Sequence, residues 1–174
     1  MKAIYFSEKE KVNENDIDKV ALEILNGKSV IFPTETVYGV GTNALEEDAC
    51  NKIFEIKGRP KEKPFIVLIS DFEMLNKIVC NISNLEMKLM KRFWPGPLTI
   101  VLEKDNQSKI PNVVTAGKSS IAIRMTSGKI VRQLIEKSGV PIIAPSANLS
   151  GKPTGVKMEN IISELGDKVD YICL

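Results

Sequence analysis

The segment KGRPKEKP, residues 57–64, places four cations and two prolines in eight residues of a chain whose formal net charge is only +2. Charge concentrated this way either solvates a helix end or faces an anion. Arginine offers a phosphate or carboxylate planar paired donors, and lysine offers a mobile point charge. Two other segments carry complementary groups. FPTETVYGVG (32–41) holds two threonines, a glutamate, a tyrosine and two glycines, and APSANLSGKPTG (144–155) holds Ser146, Asn148, Ser150 and Thr154 beside Lys152. Alone, each of these reads equally well as a polar turn, and the cationic segment as a helix end stopped by Pro60. Together they supply cations, hydroxyls and an amide, an inventory suited to a nucleoside polyphosphate gripped by side chains.

Other chemistries are excluded by composition. The chain has no histidine, which removes Ser-His-Asp and Cys-His catalysis, imidazole bases and histidine-ligated zinc. GVGTNA (39–44) matches a dinucleotide-binding pattern. Its glycines do not open a helix directly from a strand, so the match carries little. AGKSS (116–120) resembles the end of a phosphate-binding loop but lacks the first glycine, where Asn112 stands, and runs toward a strand. The three cysteines, Cys50, Cys80 and Cys173, are odd in number and widely spaced, and MKAIYFSEKEK lacks a signal-peptide core. A reduced, cytoplasmic protein with three buried thiols is expected, with no membrane partner because no apolar run is long enough to span one.

The elements that must position these groups follow from periodicity and punctuation. Ile17, Val20, Ala21, Ile24 and Leu25 recur at helical spacing before Gly27, and SVIF (29–32) reads as a buried strand. LEEDACNKIFEIK is a helix with acids in its first turn and Gly58 at its C-terminal cap, followed by the strand FIVLIS (65–70). Asp71 caps a short helix, and Ser83 with Glu86 forms a capping box for a helix running to Trp94. LTIVLE (98–103) and SIAIRM (120–125) are strands, and residues 103–120 form one long irregular segment. An amphipathic helix over 127–139, the strand VPIIAP, a helix near 157–166 and a strand in VDYICL complete the pattern. Strands alternating with helices predict an α/β fold in one domain over residues 1–174, with loops converging where strands end.

At these residues the sequence resembles the YrdC family, the threonylcarbamoyl-AMP synthases that begin threonylcarbamoyladenosine modification of tRNA. The resemblance runs nearly the whole chain through PTETVYGVG, KGRPKEKPFIVLI, WPGPLTIVL, TAGKSSIAIRM and PSANLSGKPT, and rests on the paired K-x-R and S-x-N elements. It implies a twisted open mixed sheet with helices packed on it. It implies a nucleotidyltransferase that joins L-threonine, bicarbonate and ATP into threonylcarbamoyl-AMP and pyrophosphate. By resemblance Lys57, Arg59 and Lys63 face the ATP phosphates, with Lys57 and Arg59 the catalytic pair. Ser146, Asn148, Ser120 and Thr154 complete the ATP site, and Thr36, Arg124 and Ala144 hold threonine. Magnesium (Mg2+) is implied on the ATP phosphates, with no metal site of the protein's own. A tRNA-modifying transferase complex is the implied downstream partner, and an RNA- or ribosome-binding module without synthase activity is the alternative.

Two departures shape further expectations. Leu68 stands where many members of the family carry a histidine facing threonine. Residues 1–174 also lack the family's usual C-terminal closing segment, so weak threonine binding and slow turnover are expected. Truncating Lys57 or Arg59 is expected to lower turnover with little loss of stability, and truncating Ser146 and Asn148 to weaken ATP binding rather than the fold.

Overall fold

The computed structural model describes residues 2–4, 14–153 and 158–173. Its eight strands form one mixed sheet in the order β1-β8-β2-β3-β7-β4-β6-β5. In chain order these are β1 (Lys2–Ile4), β2 (Val30–Phe32), β3 (Gly39–Asn43), β4 (Ile66–Ile69), β5 (Ile100–Glu103), β6 (Ser120–Met125), β7 (Ile142–Ile143) and β8 (Tyr171–Cys173). β1, β8 and β2 are mutually parallel, and so are β4 and β6; β2 with β3, β3 with β7, β7 with β4, and β6 with β5 are antiparallel.

Period-two alternation sorts side chains to the two faces. Ile31, Val67, Ile69, Ile121, Ile123, Ile143 and Ile172 join the larger core. On that face lie α2 (Glu47–Lys57), α3 (Phe72–Asn76), α4 (Asn84–Phe93), the single turn α5 (Asn112–Thr115) and α7 (Met158–Leu165), through side chains such as Ile53, Leu75, Met90, Val114 and Ile161. Val30, Phe32, Leu68, Ile142, Tyr171 and Cys173 face the other way, under α1 (Glu14–Leu25) and α6 (Lys129–Ser138).

That asymmetry creates the site. Eight strands span roughly 34 Å of sheet, whereas two packed helices cover only about 20 Å. On β6 the alternation leaves Ser120, Ala122 and Arg124 half-buried while Ile121, Ile123 and Met125 are buried. Neighbouring β5 exposes Val101. Among the described residues no helix covers the sheet face beside α6.

Several expectations are met in detail. Gly58 takes the left-handed conformation at the end of α2, and the Ser83–Glu86 capping box makes both of its bonds. Three expectations are corrected. GVGTN is a fully buried strand rather than a loop, residues 103–120 contain a helical turn, and Cys80 is half-exposed while Cys50 and Cys173 are buried. Among the described residues no helix is long and apolar enough to cross a membrane.

Candidate functional site

A cavity of about 270 Å³ opens where the segments after β2, α2 and β7 meet β4 and β6. The segment after β2 contributes Thr34, Thr36 and Val37; the one after α2 contributes Arg59 and Pro64; the one after β7 contributes Ala144, Pro145 and Ser146. Ile66 and Leu68 of β4 form its apolar floor, and Arg124 of β6 a charged wall. Backbone bonds tie these segments together. Val40 donates to Pro145 O (3.0 Å), Ala147 to Tyr38 O (2.8 Å) and Ser150 to Lys57 O (2.8 Å).

The two arginines are held differently. Arg59 Nε donates to Lys63 O (3.2 Å) and its Nη2 to Pro64 O (2.9 Å), while the guanidinium lies 5.4 Å from the centre of the Phe65 ring. Burial lowers its pKa from the ordinary value, which does not discharge an arginine. Arg124 Nε donates to Thr99 Oγ1 (3.0 Å) and Nη1 to Thr36 Oγ1 (3.2 Å), and Nη1 lies 3.6 Å from Glu35 Oε1. Thr34 Oγ1 accepts from the backbone amides of Thr36 and Val37, which fixes the turn that carries Thr36.

Lys57 is placed where its charge type alone would not put it. It is 2% exposed and absent from the cavity wall. Its Nζ donates to Ser146 O and to Asn148 O (the latter at 2.6 Å), so it clamps the loop after β7 from behind. Burial, then the Arg59 charge, pushes its pKa down to about 8. Asn148 is also structural. Its Oδ1 accepts from Ser146 Oγ (2.5 Å) and its Nδ2 donates to Leu149 O and Lys152 O. The expectation that Lys57 and Asn148 could be truncated at little cost to the fold is therefore corrected, because each satisfies backbone carbonyls of the loop after β7, buried or part-buried for Lys57 and part-buried for Asn148.

Five of the expected site residues, Thr36, Arg59, Arg124, Ala144 and Ser146, line the one cavity. Lys63 is exposed at its edge and presents its carbonyl to Arg59. Ser120 shares a face with Arg124 but lies four residues along β6, about 13 Å away. Thr154 lies outside the described residues. The expected site residues omit Thr34, Thr99 and Glu35: Thr34 acts within its own turn, whereas the contacts of Thr99 and Glu35 to Arg124 come from tertiary structure.

A model of the family Sua5_yciO_yrdC, described as telomere recombination, matches residues 23–173. The chain belongs to the Sua5/YciO/YrdC family. It is 44% identical over 169 residues to the threonylcarbamoyl-AMP synthase of Pyrococcus abyssi, covering 97% of this chain and 49% of that one. It is 44% identical over 157 residues to the corresponding synthase of Bacillus subtilis, covering 90% and 45%. The crystal structure of P. abyssi Sua5 complexed with L-threonine superposes with a TM-score of 0.94 at 43% identity, over 99% of this chain and 50% of that one. The chain thus spans about half the length of these relatives. The family's open mixed sheet is the one found here.

Proposed function

We propose that this chain makes threonylcarbamoyl-AMP and pyrophosphate from L-threonine, bicarbonate and ATP, for threonylcarbamoyladenosine modification of tRNA. The observation that carries the reading is one cavity faced by two guanidiniums, Arg59 and Arg124, with the hydroxyls of Thr34, Thr36 and Ser146 in the same wall. Two separate cations suit two anionic groups, a polyphosphate and an amino acid carboxylate. Relatives at 44% identity that are threonylcarbamoyl-AMP synthases, and a similar chain that binds L-threonine, support it.

In this reading Arg124 pairs with the threonine carboxylate, and Thr36 and Ala144 flank it. The threonine amine nitrogen bonds to the carbon of bicarbonate, with loss of water, to give a carbamate. A carbamate oxygen then attacks the ATP α-phosphorus as the bond to pyrophosphate breaks. Such a step requires alignment and neutralisation of developing charge rather than a covalent catalyst, within reach of a chain without histidine. Arg59 and Lys63 meet the phosphates, and Ser146 the nucleotide. Lys57 and Asn148 hold the loop that presents Ser146. The cavity is large enough for threonine, so ATP extends beyond it over the uncovered face toward Ser120.

Magnesium would enter with ATP. Among the described residues the cavity wall offers hydroxyls but no carboxylate, a donor set that fits a metal held by phosphate oxygens and water. It would neutralise phosphate charge there. Residues 1–174 act as one YrdC-like domain, and a tRNA-modifying transferase receives the product. The test is pyrophosphate release from ATP and bicarbonate, with and without L-threonine. Threonine-dependent release is expected. Release that ignores threonine, or RNA binding without any release, overturns the reading.

A further inference from the structure

We propose that Glu35 is a positioning residue for Arg124, holding the guanidinium by charge so that its remaining donors stay available to a substrate carboxylate. The proposal deepens the reading above and rests on it for the identity of the substrate. Glu35 follows Thr34 in the turn after β2, and its side chain is only 13% exposed. It is anchored from one side. Thr126, fully buried just beyond β6, donates its hydroxyl to Glu35 Oε2 at 2.6 Å and accepts the Gly128 amide at 3.1 Å. Gly128 allows this close seating, since a Cβ there would stand 3.2 Å from Thr34 Cα and 3.3 Å from Glu35 N.

The other carboxylate oxygen carries the argument. Glu35 Oε1 is buried and has no hydrogen-bond partner among the described residues, yet it lies 3.6 Å from Arg124 Nη1. A carboxylate oxygen out of water and without a donor is costly unless a cation compensates it. Arg124 is the cation in reach, and the separation is too long for a hydrogen bond. The pair is therefore electrostatic. Arg124 directs Nε to Thr99 and Nη1 to Thr36, and no partner for Nη2 occurs among the described residues. Glu35 attracts the guanidinium from behind without occupying Nη2. A direct Glu35–Arg124 bidentate pair would consume the geometry that a carboxylate ligand needs.

The experiment compares the wild type with Glu35→Gln, whose carbonyl oxygen still accepts from Thr126 and whose melting temperature serves as the fold control. Two readouts are taken. The first is water exchange of the Arg124 Nε–H in nitrogen-15 spectra of the free protein, which does not depend on any substrate. The second is calorimetric titration with L-threonine, with ATP as control. Glu35→Gln is expected to speed Arg124 Nε–H exchange and to weaken threonine binding by about tenfold, leaving ATP affinity unchanged. Glu35→Asp, which keeps the charge, recovers part of both effects. Unchanged Arg124 exchange in Glu35→Gln overturns the proposal whatever threonine does, and so does faster exchange with unchanged threonine affinity. If the wild type binds no threonine while Arg124 loosens in the variant, positioning is supported and the substrate reading falls instead.

Discussion

Arg59 and Lys57 stand two residues apart, yet the chain assigns them opposite tasks. Arg59 gives two donor groups to the turn that carries it and keeps its guanidinium at the cavity wall. Arg59→Lys retains charge but cannot reach Lys63 O and Pro64 O in the same planar geometry. It should lower threonine-dependent turnover at least ~100-fold with little change in melting temperature, as for loss of a preorganised charge contact. Turnover within a few fold of wild type would assign Arg59 to the turn alone. Lys57 is the reverse case. Lys57→Met removes the donor to Ser146 O and Asn148 O and should cost about 2 kcal/mol, roughly 4–8 °C in melting temperature for a chain of this size. Its pH signature has a definite sign. With a folded pKa near 8 against an unfolded value near ~10.4, the unfolded chain binds more protons between these limits. Stability should therefore gain from Lys57 as pH rises through that window, and thermal melts of Lys57→Met should lack that gain. Charge type is plain in the sequence, but burial is not, which is why K-x-R reads there as two equivalent cations.

At the scale of elements, legibility follows from how local the physics is. The capping box at Ser83, the left-handed Gly58 and the alternation of β6 are short-range features, and each is realised as its pattern predicts. β3 is not local in this sense. Gly39 and Gly41 make its sequence look like a loop, because glycine weakens strands. Their reason lies across the sheet. A Cβ on Gly41 would stand 2.0 Å from the Ile143 carbonyl oxygen, and one on Gly39 would stand 2.9 Å from the Phe32 ring. Glycine lets β3 close against β7 and Phe32, which fixes the spacing of the Thr36 and Ser146 loops. Gly41→Ala should therefore push β3 from β7 and destabilise the fold by several kcal/mol, the range of severe backbone clashes. Chemical denaturation showing a loss under about 1 kcal/mol would mean that the strands part easily. The same distinction explains the site. Motifs located its loops, Glu35 among their residues, but the pairing of Glu35 with Arg124 and Thr126, and of Thr99 with Arg124, joins segments far apart in the chain and leaves no local signal.

Over the whole molecule, the strand β8 is locked to β2 and α2, segments far from it in the chain. β8 enters between β1 and β2, so a strand near residue 172 pairs with one near residue 31. Asp170, just before β8, makes the lock. Its Oδ2 accepts from the Ser29 amide (2.9 Å), the Ser29 hydroxyl (2.7 Å) and Lys52 Nζ (2.8 Å), joining β2, α2 and β8. Burial alone would raise this carboxyl, but the Lys52 and Ser29 donors outweigh it and hold the pKa down to about 2. An acid depressed in the folded state contributes fully above its unfolded pKa near ~3.9 and loses that contribution as pH falls toward the folded value. Asp170→Asn keeps one oxygen for Ser29 and loses the charge facing Lys52. Allowing for solvent screening of a partly exposed pair, it should cost about 1–2 kcal/mol at neutral pH, or roughly 2–8 °C. The gap between wild type and variant should stay constant from about pH 8 to 5 and close between about pH 4 and 2. Every other acid titrates in both proteins and cancels in the difference, so paired thermal melts isolate Asp170. A gap that persists unchanged at pH 2 would show that shape and hydrogen bonding, rather than the charge of Asp170, hold β8 in the sheet.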